Sequence, residues 1–227
     1  ARGRPQKARK YPQPPDVSSV DLDWSQRAGQ LAITRTRDEH PSEMLVARPP
    51  LKSPRVIARF PNAALSKPMW SPEGDALTVE VYEKSSTLGA EGSDLYVLNP
   101  TNGQRRKLLK GRNLGWLRHG ALLGAEVVGN DGVHNIEAVS RLDVRTMAKR
   151  LLSTGVGIGW ARMSPSRRWL GWYDEERRRI DLLNANRGHR LPLPMENVRI
   201  FGWGRSDREL FYRDEDRWHR AVLQLPP

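Results

Sequence analysis

"MWSPEGDALTVEV", Met69 to Val81, reads as the end of one strand, a tight turn and a second strand. Pro72 presets the turn's φ, Gly74 takes a conformation that other residues resist, and Leu77, Val79 and Val81 alternate with other residues. That alternation marks a strand with one buried face. The element recurs along the chain. "DLDWSQRAGQLAITR" starts at Asp21, "NLGWLRHGALLGAEV" at Asn113, "GWARMSPSRRWLGWY" at Gly159 and "IFGWGRSDRELFYRD" at Ile200. Trp24, Trp70, Trp116 and Trp203 hold the same place and Met163 substitutes in the fourth copy, at spacings of 46, 46, 47 and 40 residues. Five copies with one internal pattern are a repeat, and a repeat has to be read before any single motif.

Each copy continues in the same way. After a polar loop comes a third strand: "SEMLVAR", "SDLYVLN", "NIEAVSRLDV", "RRIDLLN" and "RAVLQL". Asn/Pro/Gly-rich turns such as "NPTNGQ" and "NANRGH" lead to a fourth: "RVIARF", "RRKLLK", "AKRLLS" and "HRLPLP". Four antiparallel strands in 40–47 residues are the period of a propeller blade. The expected fold is all-β: one β-propeller domain over 1–227, of about five four-stranded antiparallel blades at about 17–60, 61–111, 112–154, 155–195 and 196–227. The fifth copy stops after its third strand. The basic, Pro-rich segment 1–16, with "GRPQKARKYPQ" at Gly3–Gln13, is expected to supply the missing strand and close the ring. Closure would remove exposed sheet edges.

"WSPEGDALTVEV" together with "SDLYVLNPTNGQRRKLL" resembles the repeat of TolB-like (WD-like) β-propellers, and "MSPSRRWLGWYD" at Met163–Asp174 is a second match. The other copies match loosely, lacking the proline. The resemblance implies architecture. It departs from the TolB translocation protein, which has six blades behind an α/β domain, so a Tol-Pal role does not follow.

Ser25, Ser71 and Ser164 follow the repeat position and are expected to bond turn N–H groups. The repeated aromatics are read as inter-blade packing, the usual meaning of a position repeated in every unit. The less regular Trp160, Trp169, Trp172 and Trp218 are better ligand candidates than the repeated ones, with inter-blade packing the expected role for most of them. The hairpins between second and third strands are longer and more variable than the turns opposite, and function concentrates on such loops. The expected partner-binding residues there are Arg177, Arg178, Arg179 and Trp172, then Tyr82, Glu83 and Lys84, then Arg213, Arg217 and Trp218. Their mixed charge suits a protein, peptide or envelope-polymer partner. The net charge of +12 adds a polyanion as a second class.

The chain has no cysteine, which excludes disulfides, thiolate metal sites and thiol nucleophiles. No apolar run reaches the roughly 18 residues of a membrane-spanning helix. The five histidines lie in loops without paired spacing, so no metal, no cofactor and no catalytic residue is assigned. The reading is a non-catalytic binding scaffold, expected as a monomer and periplasmic or secreted, with a cytoplasmic location left open. The alternatives are a glycoside hydrolase or lyase using the channel carboxylates Asp21, Asp23 and Glu126, or the propeller domain of a larger receptor or peptidase. Charge reversal at Arg177–Arg179 is expected to weaken partner capture without altering stability.

Overall fold

The computed structural model describes residues 16–49, 53–84, 92–130, 135–156, 158, 161–174, 176–195, 198, 200–215 and 217–226. Blade 1 is β1 (Val17–Ser25), β2 (Gln30–Arg37), β3 (Ser42–Ala47) and β4 (Arg55–Phe60). Blade 2 is β5 (Ala63–Trp70), β6 (Leu77–Glu83), β7 (Asp94–Leu98) and β8 (Arg105–Lys110). Blade 3 is β9 (Arg112–Trp116), β10 (Ala121–Asn130), β11 (Asn135–Asp143) and β12 (Lys149–Val156). Blade 4 is β13 (Arg162–Met163), β14 (Trp169–Asp174), β15 (Arg179–Asn184) and β16 (Arg190–Leu193), and blade 5 is β17 (Ile200–Trp203), β18 (Glu209–Arg213) and β19 (Trp218–Val222). Every sheet is an antiparallel meander in chain order, four strands each in blades 1–4 and three in blade 5. This is a β-propeller. The strand expected to complete blade 5 from residues 3–13 lies outside the described residues.

The turns follow from their sequences. Ser71 Oγ accepts the N–H groups of Asp75 and Ala76, both at 3.1 Å. Ser164 Oγ takes that of Trp169 and Ser25 Oγ that of Ala28. A second short polar residue opens the outer turns of blades 2, 3 and 4. Asn99 Oδ1 accepts from Thr101 N, Asp143 Oδ1 from Arg145 N and Thr146 N, and Asn184 Oδ1 from Asn186 N and Arg187 N. Such side-chain acceptors mimic a backbone turn and set the hairpin geometry.

The core consists of four layers, one between each successive pair of blades. Met44 and Val46 of blade 1 meet Leu65, Trp70 and Val79 of blade 2. Leu95 and Leu109 meet Trp116 and Leu122. Leu123 and Val139 meet Leu170, Trp172 and Leu183, while Trp169, Ile180 and Leu182 meet Phe201 and Leu210. Strand alternation explains how blade 4 serves two layers: Leu170 and Trp172 point to one face of the sheet, Trp169 to the other.

Two repeated hydrogen bonds tie the layers. Near the axis, Trp116 Nε1 donates to the Met69 carbonyl at 3.0 Å and Trp203 Nε1 to the Arg162 carbonyl at 2.9 Å. Each acceptor lies one residue before the matching position of the preceding blade. At the rim, arginines of the outermost strands reach the outer turn of the next blade. Arg55 bonds the Pro100 and Thr101 carbonyls, Arg106 that of Val144 and Arg150 that of Asn186.

No such layer joins blades 5 and 1 among the described residues. Asp21 and Asp23 of β1 accept the backbone N–H groups of Lys67 and Trp70 in blade 2. Alternation therefore turns Leu22 and Trp24 away from blade 2, and they are 59% and 46% exposed. Trp24, expected to pack between blades like its copies, joins none of the hydrophobic layers among the described residues. On blade 5, Ile200, Phe211, Trp218 and Val222 are likewise exposed.

Gly103 shows how closely the blades approach. It has a φ of +73°, and a Cβ there would lie 2.0 Å from the Ile57 carbonyl oxygen of blade 1. Gly103→Ala is expected to lower the unfolding free energy by about 2 kcal/mol or more. Gly202→Ala, where a Cβ meets nothing within 4 Å, changes it little. Urea denaturation of the two variants checks the contrast.

Candidate functional site

The second-to-third-strand hairpins lie on one face of the propeller, with the inter-blade connections, opposite the short turns that carry the repeated serines. The expected partner-binding residues fall into three groups on this face, and no hydrogen bond or ion pair joins the groups among the described residues.

On blade 2, Tyr82 donates its hydroxyl to Glu80 Oε2 at 2.6 Å, beneath the surface. Glu80 is 1% exposed and also accepts the Asn113 N–H of blade 3. Burial first, then the hydrogen bond and charge of Glu80, push the Tyr82 hydroxyl up to about 12. Lys84 Nζ donates to the Asp38 and His40 carbonyls of blade 1. Lys84 thus fastens blade 2 to blade 1, while Tyr82 holds the buried Glu80 that reaches blade 3. Glu83 is exposed. It and Tyr82 border a groove of about 850 Å³ with Tyr96, Arg105, Lys107 and Lys110. The rest of this loop, 85–91, lies outside the described residues.

On blade 4, Asp174 and Asp181 are 1% and 0% exposed. Burying a carboxylate is tolerable only with cationic and hydrogen-bonding partners. Arg177 Nη1 meets Asp174 Oδ2 at 3.1 Å and Arg179 Nε meets Asp181 Oδ1 at 3.1 Å. Arg190 bridges both carboxylates, 2.8 Å from Asp174 Oδ2 and 2.9 Å from Asp181 Oδ2, with its guanidinium over the Trp172 ring at 5.1 Å. The basic run is therefore divided. Arg177 and Arg179 neutralise buried acids, while Arg178 is exposed at a φ of +50° in the hairpin. Trp172 is 0% exposed, inside the layer between blades 3 and 4. That corrects its expected role: strand alternation directs it to the packed face, out of a partner's reach. Arg190 and Asp181, which organise this cluster, were not among the expected residues. The signal was a charge inside an apolar strand, Asp181 in "RRIDLLN".

On blade 5, Asp214 accepts the Arg217 N–H at 2.9 Å and pairs with His219 Nε2 at 2.6 Å. The His219 ring stacks on Tyr212, with centroids 4.9 Å apart. This holds the hairpin in shape and leaves its flanks exposed. Trp218 is 62% exposed and stands opposite Arg213 in the strand register. Neither the Arg213 nor the Arg217 guanidinium has a carboxylate partner among the described residues.

The carboxylates considered for catalysis do not form one cluster. Asp21 and Asp23 accept backbone N–H groups of blade 2, and Glu126 on β10 pairs with Lys149 of β12. Trp160, considered above as a ligand candidate, lies outside the described residues.

Comparison with solved structures matches this arrangement of meandering sheets. The fold is that of the TolB-like β-propellers. A putative TolB from Agrobacterium tumefaciens superposes with a TM-score of 0.58 at 16% identity, covering 88% of this chain and 72% of that one. An oligogalacturonate lyase in complex with manganese gives 0.59 at 11% identity, covering 86% and 62%. A chain of a nidogen/laminin complex gives 0.55 at 16% identity, covering 88% and 73%. No family model matches the sequence, and no curated protein is similar to it in sequence. Propellers with this fold include an enzyme and a member of a protein complex, so activity has to be argued from this chain's own residues.

Two outcomes follow. Arg179→Glu sets a carboxylate against buried Asp181 and is expected to lower stability by about 3 kcal/mol. Arg178→Glu leaves the melting temperature unchanged. This replaces the expectation that reversal across the whole run is harmless. Tyr82 binds its proton more tightly folded than unfolded, so its contribution is complete below pH ~10 and lost as pH rises towards ~12. Tyr82→Phe should flatten that part of the stability profile, measured by urea melts from pH 9 to pH 12.

Proposed function

We propose that the chain is a non-catalytic β-propeller that binds a protein or peptide partner on its long-hairpin face, at blades 4 and 5. The observation that carries this reading is Trp218, 62% exposed and opposite Arg213 in the strand register, on a hairpin where the Arg213 and Arg217 guanidiniums have no carboxylate partner among the described residues. Tryptophan and arginine dominate the energetics of protein interfaces: they combine large contact area with directional donors, and the arginine fork is preorganised for paired hydrogen bonds. Trp218, Arg213 and Arg217, with Arg178 on the adjacent hairpin, are the contact residues. A segment with an apolar side chain for Trp218 and flanking acidic groups fits them. The likeness to a chain of a nidogen/laminin complex supports the use of this fold in protein binding. Tyr82, Lys84, Arg177 and Arg179 act through the scaffold rather than at the contact, since their polar groups already hold blades or buried acids.

Hydrolysis or elimination at a sugar would require two carboxyl groups about 5–10 Å apart across the bond. Asp21, Asp23 and Glu126 are each engaged by other groups, Lys67 N, Trp70 N and Lys149, and are assigned no catalytic role.

Trp218→Ala combined with Arg213→Glu is expected to reduce partner capture at least about tenfold. The melting temperature should stay unchanged, because both side chains are exposed. Immobilised protein and variant, exposed to the same cell extract with bound proteins quantified by mass spectrometry, give the comparison. Undiminished capture by the double variant would overturn the assignment.

A further inference from the structure

The opposite face holds a second feature that the partner-binding reading does not use. A cavity of about 630 Å³ opens at the axis, where Asp23, Trp24 and Arg27 of blade 1 meet Trp70 of blade 2 and Arg167 of blade 4. Arg167, at a φ of +64°, lines the cavity, and one N–H is fixed on the Trp116 carbonyl at 3.1 Å. Asp23 accepts the Trp70 backbone N–H at 2.6 Å. Neither charge has a contact ion pair among the described residues. Burial is the largest influence on both, raising the Asp23 carboxyl and lowering the Arg167 guanidinium, while Glu73, Asp23 and Arg118 act on Arg167 at longer range. Two incompletely satisfied charges in a half-buried concavity are expensive in a purely structural role.

The wall of the cavity departs from the repeat in the same place. Trp116 and Trp203 donate their indole N–H groups to the preceding blade, whereas the Trp70 indole N–H is buried and has no acceptor. Trp24 lines the cavity and is 46% exposed. Arg27 adds a second cation at the rim. A planar guanidinium presents paired donors to a carboxylate, and an exposed indole face takes a flat apolar body.

We propose that this axial cavity binds a small organic carboxylate with a flat apolar face, its carboxylate held by Arg167 and its face laid on Trp24. Asp23 orients the ligand by accepting from a hydroxyl or other donor. Two kinds of molecule share this chemistry, an aromatic carboxylic acid and a uronic-acid sugar.

The test is titration of the full chain with benzoate and with glucuronate, by calorimetry and tryptophan fluorescence. Benzyl alcohol and glucose serve as uncharged controls. At least one carboxylate should bind with a Kd of about 1 mM or tighter, and its uncharged control should not. Binding of benzoate alone identifies the aromatic source, and of glucuronate alone the sugar. Arg167→Gln should weaken binding at least about tenfold. Trp24→Leu, at an exposed position, should reduce the fluorescence response and weaken binding at least about tenfold with the melting curve intact. The proposal is overturned if neither carboxylate binds, if the uncharged controls bind equally well, or if folded Arg167→Gln and Trp24→Leu bind like the parent protein. None of these outcomes depends on partner capture at blades 4 and 5.

Discussion

A four-stranded meander has two faces and cannot bury either one alone. That constraint organises this protein. Blades 2, 3 and 4 press one face on the blade before and the other on the blade after, blades 1 and 5 press one face each among the described residues, and the four hydrophobic layers are those contacts. Stability in such a repeat is close to a sum of units and nearest-neighbour interfaces. The polar devices serve the same contacts. The indole bonds near the axis and the arginine bonds at the rim fix how each blade is rotated on the next.

The arginine bonds also give part of the positive charge a structural meaning. The outermost strands β4, β8, β12 and β16 contain Lys and Arg but neither Asp nor Glu. Such edges resist pairing with other chains. Arg55, Arg106 and Arg150 use their guanidiniums on carbonyls of the next blade, which leaves less of the charge for a polyanion than the net value suggests.

The blades were legible because their signals are local: a serine bonding its own turn, an Asn or Asp opening the next, apolar residues on alternate positions. Partners across blades were not. Trp24 obeys the same pattern as Trp70, since a pattern encodes the direction of a side chain and not the presence of a neighbour. Trp172 looked irregular and therefore available, yet its two-residue spacing from Leu170 already set it on a packed face. Arg190 and Asp181 lie nine residues apart, and nothing local says that they meet beneath Arg179 with Asp174. The missing acceptor of Trp70 is a property of one interface, invisible in a repeat that otherwise reads as uniform. Candidate contacts survive where layers and bonds leave side chains over, on the flank of blade 5 and at the axial cavity.

The central claim is that nearest-neighbour faces hold the blades, with the outward faces of blades 1 and 5 uncovered among the described residues. Amide hydrogen exchange, resolved strand by strand, tests it most directly. The account predicts the slowest exchange in blades 2, 3 and 4, which are flanked on both sides, and faster exchange in β1, β18 and β19. Equal protection in all five blades would contradict it, because it would require both outward faces to be covered.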